Sequence, residues 1–308
     1  MYDSIIILGP TASGKTKVSI ELAKRLKTDI INADSMYIYK KLNIGTAKPS
    51  LEEMEGVFHH IIDVADPEDS FNVVDYRQLA EPIINSFKEK QQLPIIVGGT
   101  GFYIDSLIKN YSYGDVNADM SIRHTLEKEL DEKGNMFLYE KLSKLDPTTA
   151  QKVHPNDIVR VIRALEICLS SGKSKTDCLN DKSPILSNPL IIGLNLPRES
   201  LYEKINKRVD LMIKDGLIDE VKALYESGLN PIEHQSMRGI GYKEIIEYLN
   251  GLCSLEFAID KIKQHTRNYA KRQITWFKRN EQIIWLNPSD TNINDIVDKI
   301  IKYVNEKK

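Results

Sequence analysis

The chain has 308 residues, of which 41% are hydrophobic and 28% charged, and its formal net charge is −2. This composition is typical of a soluble globular protein and excludes a disordered or fibrous chain. The three cysteines, Cys168, Cys178 and Cys253, show no CxxC spacing, so we expect reduced thiols and a cytoplasmic protein. The first residues contain no basic segment followed by a long apolar run, and we therefore expect neither a signal peptide nor a membrane span.

Apolar runs alternate with amphipathic stretches over the first hundred residues. Strands are predicted at "SIIIL" (4–8), "DIINA" (29–33), "HHIIDV" (59–64) and "LPIIVGG" (93–99). Helical patterns occupy 18–26 and 73–87. Because the strands are apolar throughout and alternate with helices, we predict an α/β fold with a parallel sheet flanked by helices.

The pattern changes near residue 116. Helical periodicity dominates "SIRHTLEKELDEKG" and "DIVRVIRALEICLSSGK", a loop is predicted at "CLNDKSPILSNP", and "PLIIGLNLP" (189–197) predicts another buried strand. We therefore predict a first part of the core at 1–115, an all-helical insertion at 116–187, and a second, largely helical part of the core at 188–308.

The segment "GPTASGKT" lies between the first strand and the first helix, which is the context of a phosphate-binding loop. Its residues are Gly9, Pro10, Thr11, Ala12, Ser13, Gly14, Lys15 and Thr16. The glycines let backbone N–H groups approach phosphate oxygens, and the following helix presents the positive end of its dipole. Lys15 supplies a positive charge, and the hydroxyl of Thr16 suits Mg²⁺.

A phosphate-loop hydrolase usually ends a later strand with an acid that holds magnesium, and this chain has Gly98-Gly99-Thr100 there. Asp63 is an alternative acid, although the residues after it are equally typical of a turn. The missing acid favours a transferase over a motor or switch ATPase.

Asp34 follows the second predicted strand, whose carboxyl end lies in the ligand crevice of a parallel sheet. Three interpretations stay open from the residues alone: Asp34 holds Mg²⁺, Asp34 acts as a general base, or Asp34 or Ser35 caps a helix. The segment "GTAKP" (45–49), which contains Lys48, is expected to be a surface loop.

Positive charge is concentrated at 258–280, which holds seven lysines and arginines and the single acid Asp260. Arg267, Lys271 and Lys278 share one helical face and favour contact with RNA phosphates. The interleaved aromatic residues Tyr269, Trp276 and Phe277 either stack on bases or pack into the core, and the sequence leaves both possibilities open.

Eight motifs occur in one order along nearly the whole chain. They are "GPTASGKT", "DSMYIYK", "IGTAKP", "HHIIDVADP", "VGGTGFY", "HPNDIVRVIRALEI", "MRGIGYKE" and "AKRQITWFKR". Together they resemble the tRNA dimethylallyltransferase family, also called tRNA isopentenyltransferases. The resemblance implies transfer of a dimethylallyl group from dimethylallyl diphosphate to the exocyclic N6 amine of the adenosine 3′ to the anticodon. It also implies that the phosphate loop binds a departing diphosphate with Mg²⁺.

The resemblance further assigns roles to individual residues. Asp34 matches the catalytic base, Thr100 matches a residue beside the reacting base, and Arg208 matches an arginine placed against the diphosphate. Positions that match tRNA contacts are Asp34, Ser35, Met36, Tyr37, Thr100, Arg123, Val159, Arg160, Arg163, Arg238, Lys243, Lys271, Arg272 and Lys278. The family commonly has glutamine where this chain has Tyr37, so the chemistry of that contact is open.

Two other functions compete with this interpretation. A small-molecule nucleotide kinase would share the phosphate loop and Arg208 but leaves the basic segment unexplained. An ATP-gated RNA-binding protein leaves a carboxylate beside an anion site unexplained. The expected partners are dimethylallyl diphosphate and a tRNA anticodon stem-loop, with no membrane and no obligate protein partner, so that a monomer suffices.

Overall fold

The computed structural model describes residues 1–114, 120–174, 179–289 and 292–306. Cys178 and the predicted boundary between residues 115 and 116 lie outside these ranges. The chain forms two compact units: a core unit, Met1–Ile108 with Ile185–Lys308, and an inserted unit, Lys109–Pro184.

A six-stranded parallel sheet forms the centre of the core unit, as the apolar runs predict. Its strands are β1 (Ser4–Leu8), β2 (Ile30–Asn32), β3 (His59–His60), β4 (Ile95–Gly98), β7 (Pro189–Leu194) and β8 (Ile284–Leu286), while β5 (Tyr111–Gly114) and β6 (Leu179–Lys182) belong to the inserted unit. The order across the sheet is β3-β2-β4-β1-β7-β8. The edge strand β8 was not predicted, because three half-buried residues are too short a run to produce a pattern.

Helices of the core unit cover this sheet. In the core unit they are α1 (Lys15–Leu26), α2 (Val73–Glu89), α3 (Gly101–Ile108), α7 (Arg198–Lys214), α8 (Leu217–Glu226), α9 (Tyr242–Leu249), α10 (Leu255–Phe277) and α11 (Ile293–Glu306). Those of the inserted unit are α4 (Met120–Leu145), α5 (Pro147–Ala150) and α6 (Ile158–Ser171). Among the described residues, no helix combines the length and apolar character needed to cross a membrane.

Strand β1 lies in the middle of the sheet, and its residues are buried on both faces. Ile6 is in register with Ile96 of β4 on one side and with Ile191 of β7 on the other. Ile5 and Ile7 join one apolar cluster with residues of α1 and α11. Since β1, β2 and β4 are parallel, their carboxyl ends share one edge, and the phosphate loop, Asp34 and Thr100 follow directly from that edge.

The inserted unit differs from the all-helical insertion that the sequence predicts. Strands β5 and β6 pair antiparallel, and β6 occupies part of the segment predicted to be a loop. Pairing of this kind depends on backbone groups, so "LNDK" gives no side-chain signal of it. The helices form an apolar core around Leu126, Leu138 and Leu165, and α4 breaks at Gly134, where φ is 79°.

Candidate active site

The phosphate loop, residues 9–16, connects β1 to α1 in a conformation that requires its glycines. A Cβ atom on Gly9 would lie 2.3 Å from the carbonyl oxygen of Leu194, and Gly9 itself has φ of 151°. Gly14 has φ of 92° and precedes α1, and no described side chain caps that helix. The first N–H groups of α1 therefore point into the loop, where an anion would satisfy them.

The ammonium group of Lys15 lies over the phosphate loop, where it would attract the negative charge of a bound phosphate. Its Nζ atom donates hydrogen bonds to the carbonyl oxygens of Gly9 and Pro10, at 3.0 and 2.7 Å. Burial lowers the pKa of Lys15 to about 8, while the Asp34 carboxylate opposes this shift and the Arg208 guanidinium adds to it. A bound diphosphate would favour the charged ammonium and raise this pKa again.

Two hydroxyl groups of the loop are available for a ligand. The Ser13 side chain is buried, with 1% of its surface exposed, and its Oγ has no hydrogen-bond partner among the described residues. Thr16 lines an open cleft together with Ser13 and Lys15. A buried hydroxyl without a partner is costly unless a ligand or water satisfies it, so this loop fits an oxygen-rich anion.

Asp34 lies just beyond β2 and lines the same cleft as the phosphate loop, where its carboxylate interacts electrostatically with Lys15. Its Oδ1 accepts a hydrogen bond from the backbone N–H of Met36 at 3.0 Å, in a turn that starts no helix. Helix capping is therefore wrong as an explanation of this residue. Burial is the main cause that raises the pKa of Asp34, and the N–H of Met36 and the cations Lys15 and Arg208 oppose the rise.

Thr100 and Ser35 lie beside this carboxylate and are bonded to each other. The backbone N–H of Ser35 donates to Thr100 Oγ1 at 2.9 Å, and that hydroxyl donates to Ser35 Oγ at 3.2 Å. The backbone N–H of Thr100 donates to the carbonyl of Ala33 at 3.1 Å. The turns after β2 and β4 are thus joined next to Asp34, as their adjacency in the sheet permits.

Arg208 of α7 reaches the phosphate loop and bonds to it. Its Nη1 donates to Thr11 Oγ1 at 3.3 Å, and its charge acts on both Lys15 and Asp34. Considered alone, this residue is one charge on an amphipathic helix, so sequence spacing could not identify it. The phosphate loop, Asp34 and Arg208 line one open cleft with a volume of about 1180 Å³.

The segment 45–49 is less exposed than the surface loop that the sequence predicts. The side chain of Lys48 is 4% exposed and donates to the Tyr39 carbonyl and to Asp63 Oδ1, both at 2.6 Å. Asp63 is therefore paired with a lysine. Tyr37 donates through its hydroxyl to the carbonyl of Ala47 at 2.7 Å, and burial raises its pKa.

The aromatic residues of the basic segment pack inward. Trp276 Nε1 donates to Asp105 Oδ2 at 3.1 Å, and a Cβ on Gly101 would lie 2.3 Å from the indole ring. Phe277 is buried, and the hydroxyl of Tyr269 bonds to Thr100. Core packing therefore describes Phe277, whereas Tyr269 and Trp276 are half-buried, and base stacking by these two rings stays a prediction.

The cations of α10 and its C-terminus differ in exposure: Lys263 pairs with Asp210, and the predicted RNA contact Arg267 donates to Asn206 Oδ1 at 2.7 Å. Lys271, Arg272 and Lys278 are exposed and form no ion pair with any described residue. Arg238 instead donates to the carbonyls of Pro231 and Ile232, at 2.9 and 2.6 Å, and the Lys243 ammonium lies 3.7 Å from Glu244. The predicted RNA contacts of the core unit thus include three exposed cations without an ion pair to a described residue, of which Arg272 lies over the Tyr269 ring, and two cations, Arg238 and Lys243, that contact neighbouring groups.

In the inserted unit, two predicted RNA-binding arginines meet at a buried acid. Arg123 of α4 and Arg163 of α6 both pair with Glu166, which is 1% exposed. Arg160 pairs with Asp157 one turn away. Val159, which is 75% exposed, lies on the same helix, so its side chain is free to meet a partner.

Two residues that contact loops of the candidate site were missed by sequence reasoning. Glu220 of α8 accepts hydrogen bonds from the loop at 43–45, and Gln273 of α10 bonds to the phosphate loop. Both partners are more than 170 residues away in the chain. The local signals were two glycines: Gly99 makes room for the Gln273 amide, and Gly45 makes room for the ring of Tyr242, whose hydroxyl donates to Glu220.

Comparisons of this chain with a family model and with known proteins all identify the same family. A family model described as IPP transferase matches residues 37–280. The tRNA dimethylallyltransferase of Alkaliphilus metalliredigens is 46% identical over 301 residues, covering 97% of this chain and 96% of that protein. That of Halalkalibacterium halodurans is 45% identical over 302 residues, covering 97% and 96%.

Two solved structures agree. The full-length tRNA isopentenylpyrophosphate transferase of Bacillus halodurans matches with a TM-score of 0.73 and 44% identity, covering 99% of this chain and 96% of that one. A eukaryotic dimethylallyltransferase acting on tRNA matches with a TM-score of 0.78 and 31% identity, covering 92% and 73%. The resemblance of the eight motifs is thereby confirmed, and the chain belongs to the IPP transferase family, whose members named above are tRNA dimethylallyltransferases.

Proposed function

We propose that this protein transfers a dimethylallyl group from dimethylallyl diphosphate to the N6 amine of the adenosine 3′ to the anticodon of a tRNA. The names of its close relatives support this class of reaction. One observation carries the proposal at the level of residues: Asp34 and the phosphate loop line the same cleft, and the charges of Lys15 and Arg208 act on Asp34.

The phosphate loop binds the donor diphosphate. Its backbone N–H groups, the ammonium of Lys15 and the guanidinium of Arg208 all face negative charge that increases as the allylic C–O bond breaks. Mg²⁺ usually takes few protein ligands together with substrate phosphates, and the hydroxyl of Thr16 fits that pattern. When bound, the metal would offset charge on the departing diphosphate.

Asp34 serves as the general base toward the acceptor. As the N6–C1 bond forms, the C–O bond breaks, its electron pair leaves with the diphosphate, and the proton on N6 passes to Asp34. The raised pKa of Asp34 makes its carboxylate a stronger base than an exposed aspartate. Thr100 and Ser35, bonded to each other beside Asp34, orient the acceptor adenine.

The tRNA is held through its phosphates and turned so that the adenine can enter the cleft. The exposed Lys271, Arg272 and Lys278 are suited to phosphate contacts, which release counterions and therefore weaken with salt. Turning a base out of its stack costs a few kcal/mol, which these contacts offset. All the proposed groups come from one chain, so a monomer suffices.

A reconstituted reaction tests the proposal. Purified protein is mixed with an unmodified anticodon stem-loop, dimethylallyl diphosphate and Mg²⁺, and the nucleosides are weighed after digestion. We expect an adenosine heavier by one C5H8 unit, formed only when the donor is present. Phosphorylation of a nucleotide by ATP without prenyl transfer would instead support the kinase.

Matched variants test the role of Asp34. Asp34→Asn keeps the shape of the side chain but removes the base, so we expect turnover to fall by about 10²–10⁴-fold with unchanged tRNA affinity. Asp66→Asn is the control, because Asp66 is exposed and pairs with Lys40 at the surface. Equal turnover in the wild type and Asp34→Asn would remove Asp34 from the chemistry.

A further inference from the structure

One face of α10 passes directly behind the proposed donor site. Tyr269, Gln273 and Trp276 are spaced by four and three residues, so they lie on the same side of the helix. Gln273 is the most enclosed of the three polar groups, with 5% of its surface exposed. Lys271 and Arg272 of the same helix are exposed, whereas Gln273 is buried and has no part in that surface.

The amide of Gln273 joins two loops that are distant in sequence. Its Oε1 accepts a hydrogen bond from the backbone N–H of Thr11 at 2.9 Å. Its Nε2 donates to the carbonyl of Gly99, also at 2.9 Å. Because a backbone N–H can only donate and a carbonyl can only accept, the two partners determine the orientation of the amide.

Gly99 is a glycine because of this amide. A Cβ atom added to Gly99 would lie 2.2 Å from Gln273 Nε2, whereas the next nearest atoms lie at 3.4 Å or more. Even alanine at position 99 would therefore push the amide away. The conformation of Gly99 is one that other residues can adopt, so the requirement comes from this contact rather than from the backbone.

Each of the two loops carries one half of the proposed chemistry. Thr11 belongs to the phosphate loop, and its hydroxyl accepts a hydrogen bond from Arg208. Gly99 precedes Thr100, whose hydroxyl holds Ser35 next to Asp34. The Gln273 amide is thus the direct link between the group that binds the diphosphate and the turn beside the base.

We propose that Gln273 is a positioning residue that fixes the phosphate loop relative to the turn carrying Thr100, and so sets the distance between the donor carbon and the acceptor amine. This inference rests on the proposed function. Reactive groups must be held within about 0.5 Å of their productive geometry, and a displacement of about 1 Å costs on the order of 10²-fold in rate. Gln273 itself touches neither substrate.

Gln273→Leu removes both hydrogen bonds at nearly constant volume. Gln264→Leu is the matched control, because Gln264 is an exposed glutamine on the same helix. For each variant we measure the single-turnover rate with saturating stem-loop and donor, the Kd of inorganic diphosphate with Mg²⁺, the Kd of the stem-loop, and Tm. We expect Gln273→Leu to lower the single-turnover rate at least tenfold with stem-loop Kd within twofold, and Gln264→Leu to change none of them.

A second pair of variants tests the contact itself. Gly99→Ala should lower the rate at least tenfold in the wild type, because the new Cβ displaces the amide. In a Gln273→Ala background the same change should cost less than threefold, because the space is then empty. If Gly99→Ala is equally harmful in both backgrounds, its effect does not act through Gln273.

The outcomes separate positioning from a merely structural role. A structural role would lower Tm and the active fraction, while the rate per active site and the diphosphate Kd would stay at wild-type values, and that result would overturn the inference. If Gln273→Leu fails to fold, the same measurements are made on Gln273→Glu. This variant keeps the acceptor for Thr11 but repels the Gly99 carbonyl, so its single-turnover rate should also fall at least tenfold. If the wild type transfers no prenyl group, the proposed function fails, and the diphosphate Kd still tests whether Gln273 holds the phosphate loop.

Discussion

Replacement of Glu220 by glutamine should release the loop that borders the donor cleft. The Glu220 carboxylate accepts hydrogen bonds from the backbone N–H groups of Asn43, Ile44 and Gly45 at 2.9, 2.8 and 3.0 Å, and from the hydroxyl of Tyr242 at 2.7 Å. A Cβ on Gly45 would lie 2.7 Å from the ring of Tyr242. Thr46, Ala47 and Lys48 of the same loop line the cleft, so the position of this loop matters for the donor.

The expected loss follows from these four bonds. Hydrogen bonds to a charged group contribute about 1.5–3 kcal/mol each, but Glu220 is only half-buried and water replaces part of that contribution. Glutamine also keeps one acceptor oxygen. We therefore expect the free energy of unfolding to fall by about 2–4 kcal/mol, and Tm to fall by about 6–12 °C for a unit of this size.

Urea unfolding and calorimetry measure this loss. Glu226→Gln on the same helix is the control, because its pair with Lys222 is exposed and should contribute less than about 0.5 kcal/mol. We also expect a higher KM for the donor in Glu220→Gln. A loss below about 1 kcal/mol with unchanged KM would show that water holds the loop as well as the carboxylate does, and would refute the reasoning.

The remaining predictions concern charge. Since burial lowers the pKa of Lys15 to about 8 and a bound anion raises it again, diphosphate binding near pH 8 should take up protons, and Kd should rise as the pH increases above 8. Calorimetry in buffers of different ionisation enthalpy measures the uptake, and proton release would contradict this sign. Glu166→Gln should destabilise the inserted unit by about 1.5–3 kcal/mol, because Arg123 and Arg163, each about a third exposed, lose a charged hydrogen-bond partner. Glu132→Gln, whose pair with Lys128 is exposed, should change it by less than about 0.5 kcal/mol in the same urea titration.

The parallel sheet could be predicted because its strands carry a strong signal. Strands buried on both faces give unbroken apolar runs, and glycine-rich loops mark where the first and fourth strands end. The strands β6 and β8 carry no such signal, because β6 pairs through its backbone and β8 is a short edge strand. Fold prediction therefore succeeded where burial dictates the residue type and failed where it does not.

The candidate site was predictable for residues that belong to local motifs. The phosphate loop and Asp34 follow directly from predicted strands, so the topology alone brings them to one edge of the sheet. Lys48 was assigned to a surface loop because a lysine is usually exposed, and only the fold reveals the partners that bury it. The role of Glu220 likewise depends on a loop that lies far away in sequence.

The glycines of "VGGTG" illustrate why such contacts escape a single sequence. Gly99 makes room for the amide of Gln273, and Gly101 makes room for the indole of Trp276. In both cases the glycine is visible as a pattern, but its cause lies on α10, about 175 residues further along the chain. Both glycines flank Thr100, and both partners come from the helix that also carries the exposed Lys271 and Arg272, two of the predicted RNA contacts. It follows that α10 cannot shift on tRNA binding without disturbing the turn at Thr100, so these contacts require the helix to dock as a rigid part of the core.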